Sequence, residues 1–147
     1  MPCYRMTPAL PATGFPAPEE GRHVKAPIDA LDLPLGSRLA KVGRTTGYTS
    51  APAESVAIGL NDVSISFAGL GNLRFDGMIE IMWPNLKKPF SASGDSGSLC
   101  YVEKKMHAFA LIVAGGVVER NGVDVGVSYA CPLDAILTEY KAEVLGS

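Results

Sequence analysis

One serine stands in a setting that suits nucleophilic chemistry. Ser96 lies in the run Ser93-Gly94-Asp95-Ser96-Gly97-Ser98-Leu99, where glycines on both sides permit a sharp turn that exposes the hydroxyl group. A free hydroxyl is a poor nucleophile at neutral pH, so a histidine base is needed beside it. The chain has two histidines, and only His23 precedes Ser96. A plain turn is the alternative, because Gly, Asp and Ser are common turn residues.

The composition bounds the class of protein. The chain has 147 residues, enough for one domain with a core, and 47% of them are hydrophobic and 19% charged. A net charge of −2 with scattered basic residues predicts neither a nucleic-acid partner nor a membrane partner. The first six residues lack the apolar core of a signal peptide, so an intracellular location is the default expectation.

The sequence predicts no metal and no cofactor. Its three cysteines, Cys3, Cys100 and Cys131, form no paired framework, and buried free thiols are expected for the last two. No histidine pair or acidic cluster has ligand spacing. The run Gly69-Leu70-Gly71-Asn72 is not followed by a helical pattern, so it does not read as a phosphate loop.

The pattern along the chain divides it in two. Residues 1–36 hold seven of the eleven prolines and no apolar alternation, which predicts an extended arm or linker. Residues 37–147 predict a six- to seven-stranded antiparallel barrel, since short apolar-alternating runs recur with turns between them. The expected strands lie at 38–42, 55–59 and 63–67 (a hairpin around Leu60-Asn61-Asp62), 73–82, 98–102, 106–113, and 117–120 and 123–129 (a hairpin around Asn121-Gly122).

The last segment changes its period. After Pro132, which suits a first helical position, apolar residues recur at three- and four-residue spacing: Leu133, Ile136, Leu137, Tyr140 and Val144. One amphipathic helix, ending near Gly146, is therefore expected to close the domain.

Four stretches together resemble a known family. Lys41–Gly47, Ser93–Leu99, Ala108–Gly116 and Val127–Glu143 are similar, in this order, to the second β-barrel of trypsin-like serine peptidases of bacterial and fungal type. The four stretches are, in turn, the opening strand, the nucleophile loop, the strand along the substrate cleft, and the last strand with its helix. The resemblance covers residues 38 to 145.

The resemblance implies roles for the residues of the loop. Ser96 would be the nucleophile, and the N–H groups of Gly94 and Ser96 would form the oxyanion hole. Asp95 would structure the loop through an ion pair. Its partner is left open, with Arg44 one conceivable candidate.

The resemblance also implies a substrate pocket for a peptide or protein. Phe90, six positions before Ser96, would lie at the base of the specificity pocket, where an apolar residue disfavours basic substrate side chains. Gly115 and Gly116 would leave the pocket walls open and offer backbone groups to a peptide strand. Ordinary core packing is the alternative for Phe90.

The chain departs from the family ahead of residue 38. The family supplies its catalytic histidine and aspartate from a first barrel, which has no counterpart here. His23 lies in an unrelated context, and Asp29 and Asp32 follow it at a spacing too short for the family's aspartate. A compressed His23–Asp29–Ser96 triad is the alternative to a solvated histidine on the arm. His107 is expected in a strand, with a surface or core role. Two hypotheses follow: a peptidase half that is completed by a His- and Asp-bearing barrel on this or a partner chain, or an inactive peptidase-like module that binds peptides or proteins.

Overall fold

Strands dominate the structure. The computed structural model describes residues 28–58 and 63–143. Short 3₁₀ helices lie at Ala30–Asp32 and Ala53–Ser55. The main elements are β1 (Arg38–Gly43), β2 (Gly47–Pro52), β3 (Val56–Ile58), β4 (Val63–Phe67), β5 (Gly71–Phe75), β6 (Ile79–Trp83), β7 (Leu99–Val102), β8 (Ala108–Arg120), β9 (Val123–Pro132) and α1 (Leu133–Tyr140).

Seven of these strands form one curled antiparallel sheet, in the order β2-β1-β7-β8-β9-β6-β3. β4 and β5 pair with each other as a separate two-stranded ribbon. The sheet resembles a half-barrel, with β2 and β3 as its two edges. The all-β fold class with a terminal helix, predicted from the alternating pattern, is confirmed.

The central strands are buried on both faces. Leu39, Cys100 and Val102 pack into the concave core, whereas Ala40 and Tyr101 face the other side. That second face is covered by apolar residues of α1, Leu133 and Leu137. The helix lies closest to β8 and β9, and its two buried leucines cover this face of the sheet.

The hairpin between β8 and β9 is confirmed. Arg120 pairs with Val123, and the two residues between them have positive φ, +53° at Asn121 and +78° at Gly122. This is the two-residue turn that matches the twist of the flanking strands. It joins the two longest strands of the sheet.

Three local predictions are wrong. The runs 106–113 and 117–120, expected as two strands, are joined in one continuous strand, β8. The run at 55–59 does not form a hairpin with 63–67: β3 pairs with β6 and β4 pairs with β5, while the expected turn Leu60-Asn61-Asp62 lies outside the described residues. The run 73–82 is two strands rather than one, because the chain turns at Gly77 (φ +69°). Alternation continues across that turn, so the pattern alone did not reveal the break.

The terminal helix is shorter than predicted. It has eight residues and ends at Tyr140, since Lys141 adopts a left-handed conformation (φ +50°). The Lys141 N–H donates to the carbonyl groups of Leu137 and Thr138 in the last turn. Pro132 is the N-cap rather than the first helical residue. The expected end near Gly146 lies outside the described residues.

The predicted arm is described only in its last part. Residues 1–27, with His23, lie outside the described ranges. Ile28 donates its N–H to the Ala108 carbonyl (2.9 Å), and Ile28 and Leu33 pack against the core. Gly36 donates to the Glu54 carboxylate (2.7 Å). Residues 28–36 therefore lie against the sheet.

Within the described ranges, no helix has the length and apolar character that a membrane crossing requires.

Candidate functional site

The loop that carries Ser96 is held by backbone hydrogen bonds at its exit. Gly97 N–H donates to the Ile112 carbonyl of β8 (2.7 Å), and Ile112 N–H donates back to the Ser98 carbonyl (2.9 Å). Asp95 N–H closes a turn onto the Ala92 carbonyl (3.0 Å). The loop thus leads directly into β7 with its orientation set by β8.

Asp95 is the buried anchor of the loop. Its Oδ1 accepts the N–H groups of Thr45 (2.8 Å) and Thr46 (3.2 Å), and its Oδ2 accepts the Thr46 hydroxyl (2.6 Å) and the Ala92 N–H (2.9 Å). Burial raises the pKa of this carboxyl, but these four donors outweigh it and hold the pKa below its usual value. Asp95 is therefore an anion, and it ties the loop that carries Ser96 to the β1–β2 turn.

Lys41 is the cation that accompanies Asp95. Both side chains are 0% exposed, with Lys41 Nζ 3.6 Å from Asp95 Oδ2. The ammonium also donates to the Thr46 hydroxyl and to the Gly47 carbonyl (3.2 Å), and it lies 5.7 Å from the centre of the Phe90 ring. Burial lowers the pKa of Lys41, and the Asp95 carboxylate offsets part of that shift. Arg44, the partner conceivable from sequence, is exposed.

Two glycines permit the close approach of the loop to the β1–β2 turn. A Cβ at Gly43 would lie 2.2 Å from Asp95 Oδ1. A Cβ at Gly94 (φ +99°) would lie 2.3 Å from Thr45 Oγ1, which donates to the Ser93 carbonyl (2.7 Å). Gly43 and Gly94 are therefore required by the close contact between the two stretches.

Ser96 is exposed and has no base beside it in the described residues. Its hydroxyl donates to the Val113 carbonyl (3.1 Å). The N–H groups of Gly94 and Ser96 donate to no acceptor within residues 28–58 and 63–143. His107 is six positions before Val113, roughly 20 Å along β8 at strand spacing. Within the described residues, the site therefore presents an exposed hydroxyl and two backbone amides without acceptors.

A cleft of about 380 Å³ opens beside Ser96. Ser93 and Ser96 line one side, and Gly115 and Gly116 of β8 line another, so the structure brings these predicted residues together. Phe90 is placed apart from them: it is 2% exposed, belongs to the core, and is not among the residues that line the cleft. Its neighbour Ser91 lines the cleft instead.

The strand along the cleft has an unpaired edge. This strand is β8. On one edge, β9 pairs with β8 as far as the hairpin tip; on the other edge, β7 pairs with β8 only up to Leu111. Beyond Val113, whose carbonyl accepts the Ser96 hydroxyl, the described residues place no strand on that edge. A peptide could pair there as an added strand.

Sequence reasoning missed several residues of the site, namely Lys41, Thr46, Trp83, Ser91 and Ser128. Lys41 left a signal, a lysine between Ala40 and Val42 of an otherwise apolar run. The serines left none, because serine is equally common in exposed turns.

Within the described ranges, no group of three or more His, Cys, Asp or Glu residues is placed to hold a metal ion.

Comparison with known proteins adds no relative. No protein-family model matches the chain, and a search of curated proteins finds no significant match. The functional argument therefore depends on the geometry of the site.

Proposed function

We propose that residues 38–143 are the nucleophile-bearing half of a trypsin-like serine peptidase, which cleaves peptide bonds when a His- and Asp-bearing partner barrel completes it. One observation carries the proposal. An exposed Ser96 hydroxyl and the free amides of Gly94 and Ser96 lie on a loop that the buried Lys41–Asp95 pair holds beside an open cleft.

The chemistry assigned to these groups is acyl transfer. Ser96 Oγ attacks the carbonyl carbon of the substrate while its proton passes to the base of the partner barrel. The negative charge that develops on the carbonyl oxygen accepts hydrogen bonds from the Gly94 and Ser96 amides. Collapse expels the amine, which takes the proton from the base, and water then releases the acyl group from Ser96.

The cleft supports a peptide as the substrate. The free edge of β8 offers backbone groups to an extended chain, and the side chain preceding the cleaved bond would enter the space between Gly115 and Ser93. No residue that lines the cleft carries a charge, which disfavours a strong preference for Arg or Lys.

A second function, peptide binding without catalysis, is favoured by the absence of a base beside Ser96 in the described residues. The cleft and the free β8 edge suffice for it. The two functions differ in whether Ser96 becomes acylated.

Acylation can be tested with an external base. The full chain is incubated with a p-nitrophenyl peptide ester and imidazole, quenched in acid and digested, and the mass of the Ser96 peptide is measured. We expect an acyl adduct on Ser96 whose formation rate rises with imidazole, and negligible turnover without it.

Ser96→Ala should abolish the adduct, and Ser64→Ala, the same change on the exposed β4 strand, should leave it intact. Peptide binding with no adduct at any imidazole concentration would favour the binding module and contradict the peptidase.

A further inference from the structure

A chain of hydrogen bonds lies directly under the cleft. Trp83 Nε1 donates to Ser128 Oγ (3.1 Å), and Ser128 Oγ lies 2.5 Å from Ser91 Oγ. Ser128 is 0% exposed, whereas Ser91 lines the cleft at 7% exposure. The indole is held in place because its ring packs on Gly126, where a Cβ would lie 2.0 Å from it.

The direction of this chain follows from counting donors. The indole N–H can only donate, so Ser128 Oγ accepts from it. If Ser91 also donated to Ser128, the fully buried Ser128 proton would have no acceptor among the described residues, which is unfavourable. Ser128 therefore donates to Ser91, and the Ser91 O–H is left with no protein acceptor in those residues.

The remaining proton belongs to a residue of the cleft wall. A Cβ at Gly115 would lie 3.6 Å from Ser91 Oγ, which shows that the hydroxyl group stands beside that wall. Because position 115 is glycine, no side chain lies between the cleft and this hydroxyl. The Ser91 hydroxyl thus offers the cleft a hydrogen-bond donor.

We infer that the cleft selects an uncharged substrate side chain that ends in a hydrogen-bond acceptor, a carboxamide such as that of glutamine. As a statement about which peptides are cleaved, the inference rests on the proposed function. The preference of the cleft for one side chain can be tested by peptide binding alone. The carboxamide oxygen accepts the Ser91 proton, and its NH₂ group faces the open, hydrated part of the cleft.

Other side chains fit the site less well. A carboxylate would lose hydration without a cation, and an ammonium or guanidinium without an anion, since no lining residue is charged. An aliphatic side chain would leave the Ser91 proton without an acceptor, and sites built to donate to a substrate reject analogues that lack the partner.

The test uses Trp83, the single tryptophan of the chain, as a fluorescent reporter in the cleft. The full chain is titrated with acetyl-Ala-Ala-Xaa-amides in which Xaa is glutamine, norleucine, glutamate or lysine. We expect the glutamine peptide to bind about 3- to 10-fold more tightly than the norleucine peptide, whose unbranched aliphatic side chain has the same length and no acceptor; this is the range of one neutral hydrogen bond. Glutamate and lysine peptides should bind more weakly than glutamine.

Ser91→Ala should bring the ratio of glutamine to norleucine affinity close to one, and Ser64→Ala should leave it unchanged. The peptide series on the wild-type chain decides even if Ser91→Ala fails to fold. Equal affinities for glutamine and norleucine, tighter binding of a charged peptide, or no binding at all would overturn the inference.

Combining the titration with the imidazole-dependent acylation assay separates this inference from the proposed function. A glutamine preference in binding with no acyl adduct on Ser96 supports the cleft as a selective site and contradicts the peptidase. Conversely, acylation of Ser96 with no glutamine preference would support the peptidase and overturn this specificity.

Discussion

Replacement of Lys41 by methionine tests the buried ion pair that anchors the loop carrying Ser96. The Lys41 ammonium lies 3.6 Å from Asp95 Oδ2, with both side chains fully buried. Removing one partner of a buried ion pair costs about 3–5 kcal/mol, because the other charge stays buried. The four hydrogen-bond donors to Asp95 remain, and methionine still packs on Phe90. We therefore expect a loss of about 3 kcal/mol in the free energy of unfolding.

Urea unfolding followed by Trp83 fluorescence measures this loss. With a slope of about 1–3 kcal/mol per molar urea, the midpoint should fall by roughly 1–3 M while the slope stays constant. Arg38→Met is the matched control, since Arg38 lies on the same strand but its side chain is 52% exposed and 4.0 Å from Glu103. That change should cost no more than about 1 kcal/mol.

A double variant isolates the pair. Lys41→Met combined with Asp95→Asn removes both charges, so its cost should be smaller than the sum of the two single changes by about 2 kcal/mol or more. A loss below about 1 kcal/mol in Lys41→Met, or strict additivity in the double variant, would refute the assigned role of the pair.

Three further predictions concern the same fold. Hydrogen bonds hold the pKa of Asp95 in the folded chain below its usual 3.8. The stabilisation that the ionised carboxylate gives to the folded state is therefore complete above pH 3.8 and is lost as the pH falls through the lower folded pKa. The Tm of the wild type should accordingly fall more steeply from about pH 5 to about pH 2 than that of Asp95→Asn. Gly94→Ala should lower the free energy of unfolding by about 2–4 kcal/mol, since it adds backbone strain and displaces the Thr45 hydroxyl. Gly97→Ala (φ +87°, open space) adds strain alone and should cost less, so equal urea midpoints for the two variants would contradict this. Gly122→Val should lower the Tm by several degrees through strain in the β8–β9 turn, and an unchanged Tm would contradict the turn assignment.

Local chemistry explains which parts of the fold could be predicted. Asn121-Gly122 predicted its hairpin because few other residues accept positive φ at both positions. The break at Gly77 was missed because alternation resumes beyond it on a strand of another sheet. Pairing of β3 with β6 joins segments distant in sequence, and apolar alternation shows only that a strand has a buried face, not which strand lies beside it.

The candidate site likewise has a part that could be predicted from the sequence and a part that only the structure shows. The types and spacing of Gly94, Asp95, Ser96 and Gly97 predicted an exposed serine on a tight loop, and the buried carboxylate could be expected from a resemblance. The choice of Lys41 over Arg44 as its cation could not, because each lies near the same turn in sequence. They are distinguished by the inward direction of the Lys41 side chain on β1 and by the exposed position of Arg44 in the turn that follows.

The sequence by itself determined the local elements: strands from alternation, a closing helix from its period, a tight turn from Asn-Gly, and a serine loop from its glycines. These follow from backbone sterics and from the burial of one face, which act over a few residues. The tertiary structure alone decided that Lys41 meets Asp95, that Phe90 lies in the core while Ser91 lines the cleft, and that Trp83, Ser128 and Ser91 form one hydrogen-bond chain. Those contacts join strands far apart in the chain, and a buried polar group takes whichever partner the packing brings within reach.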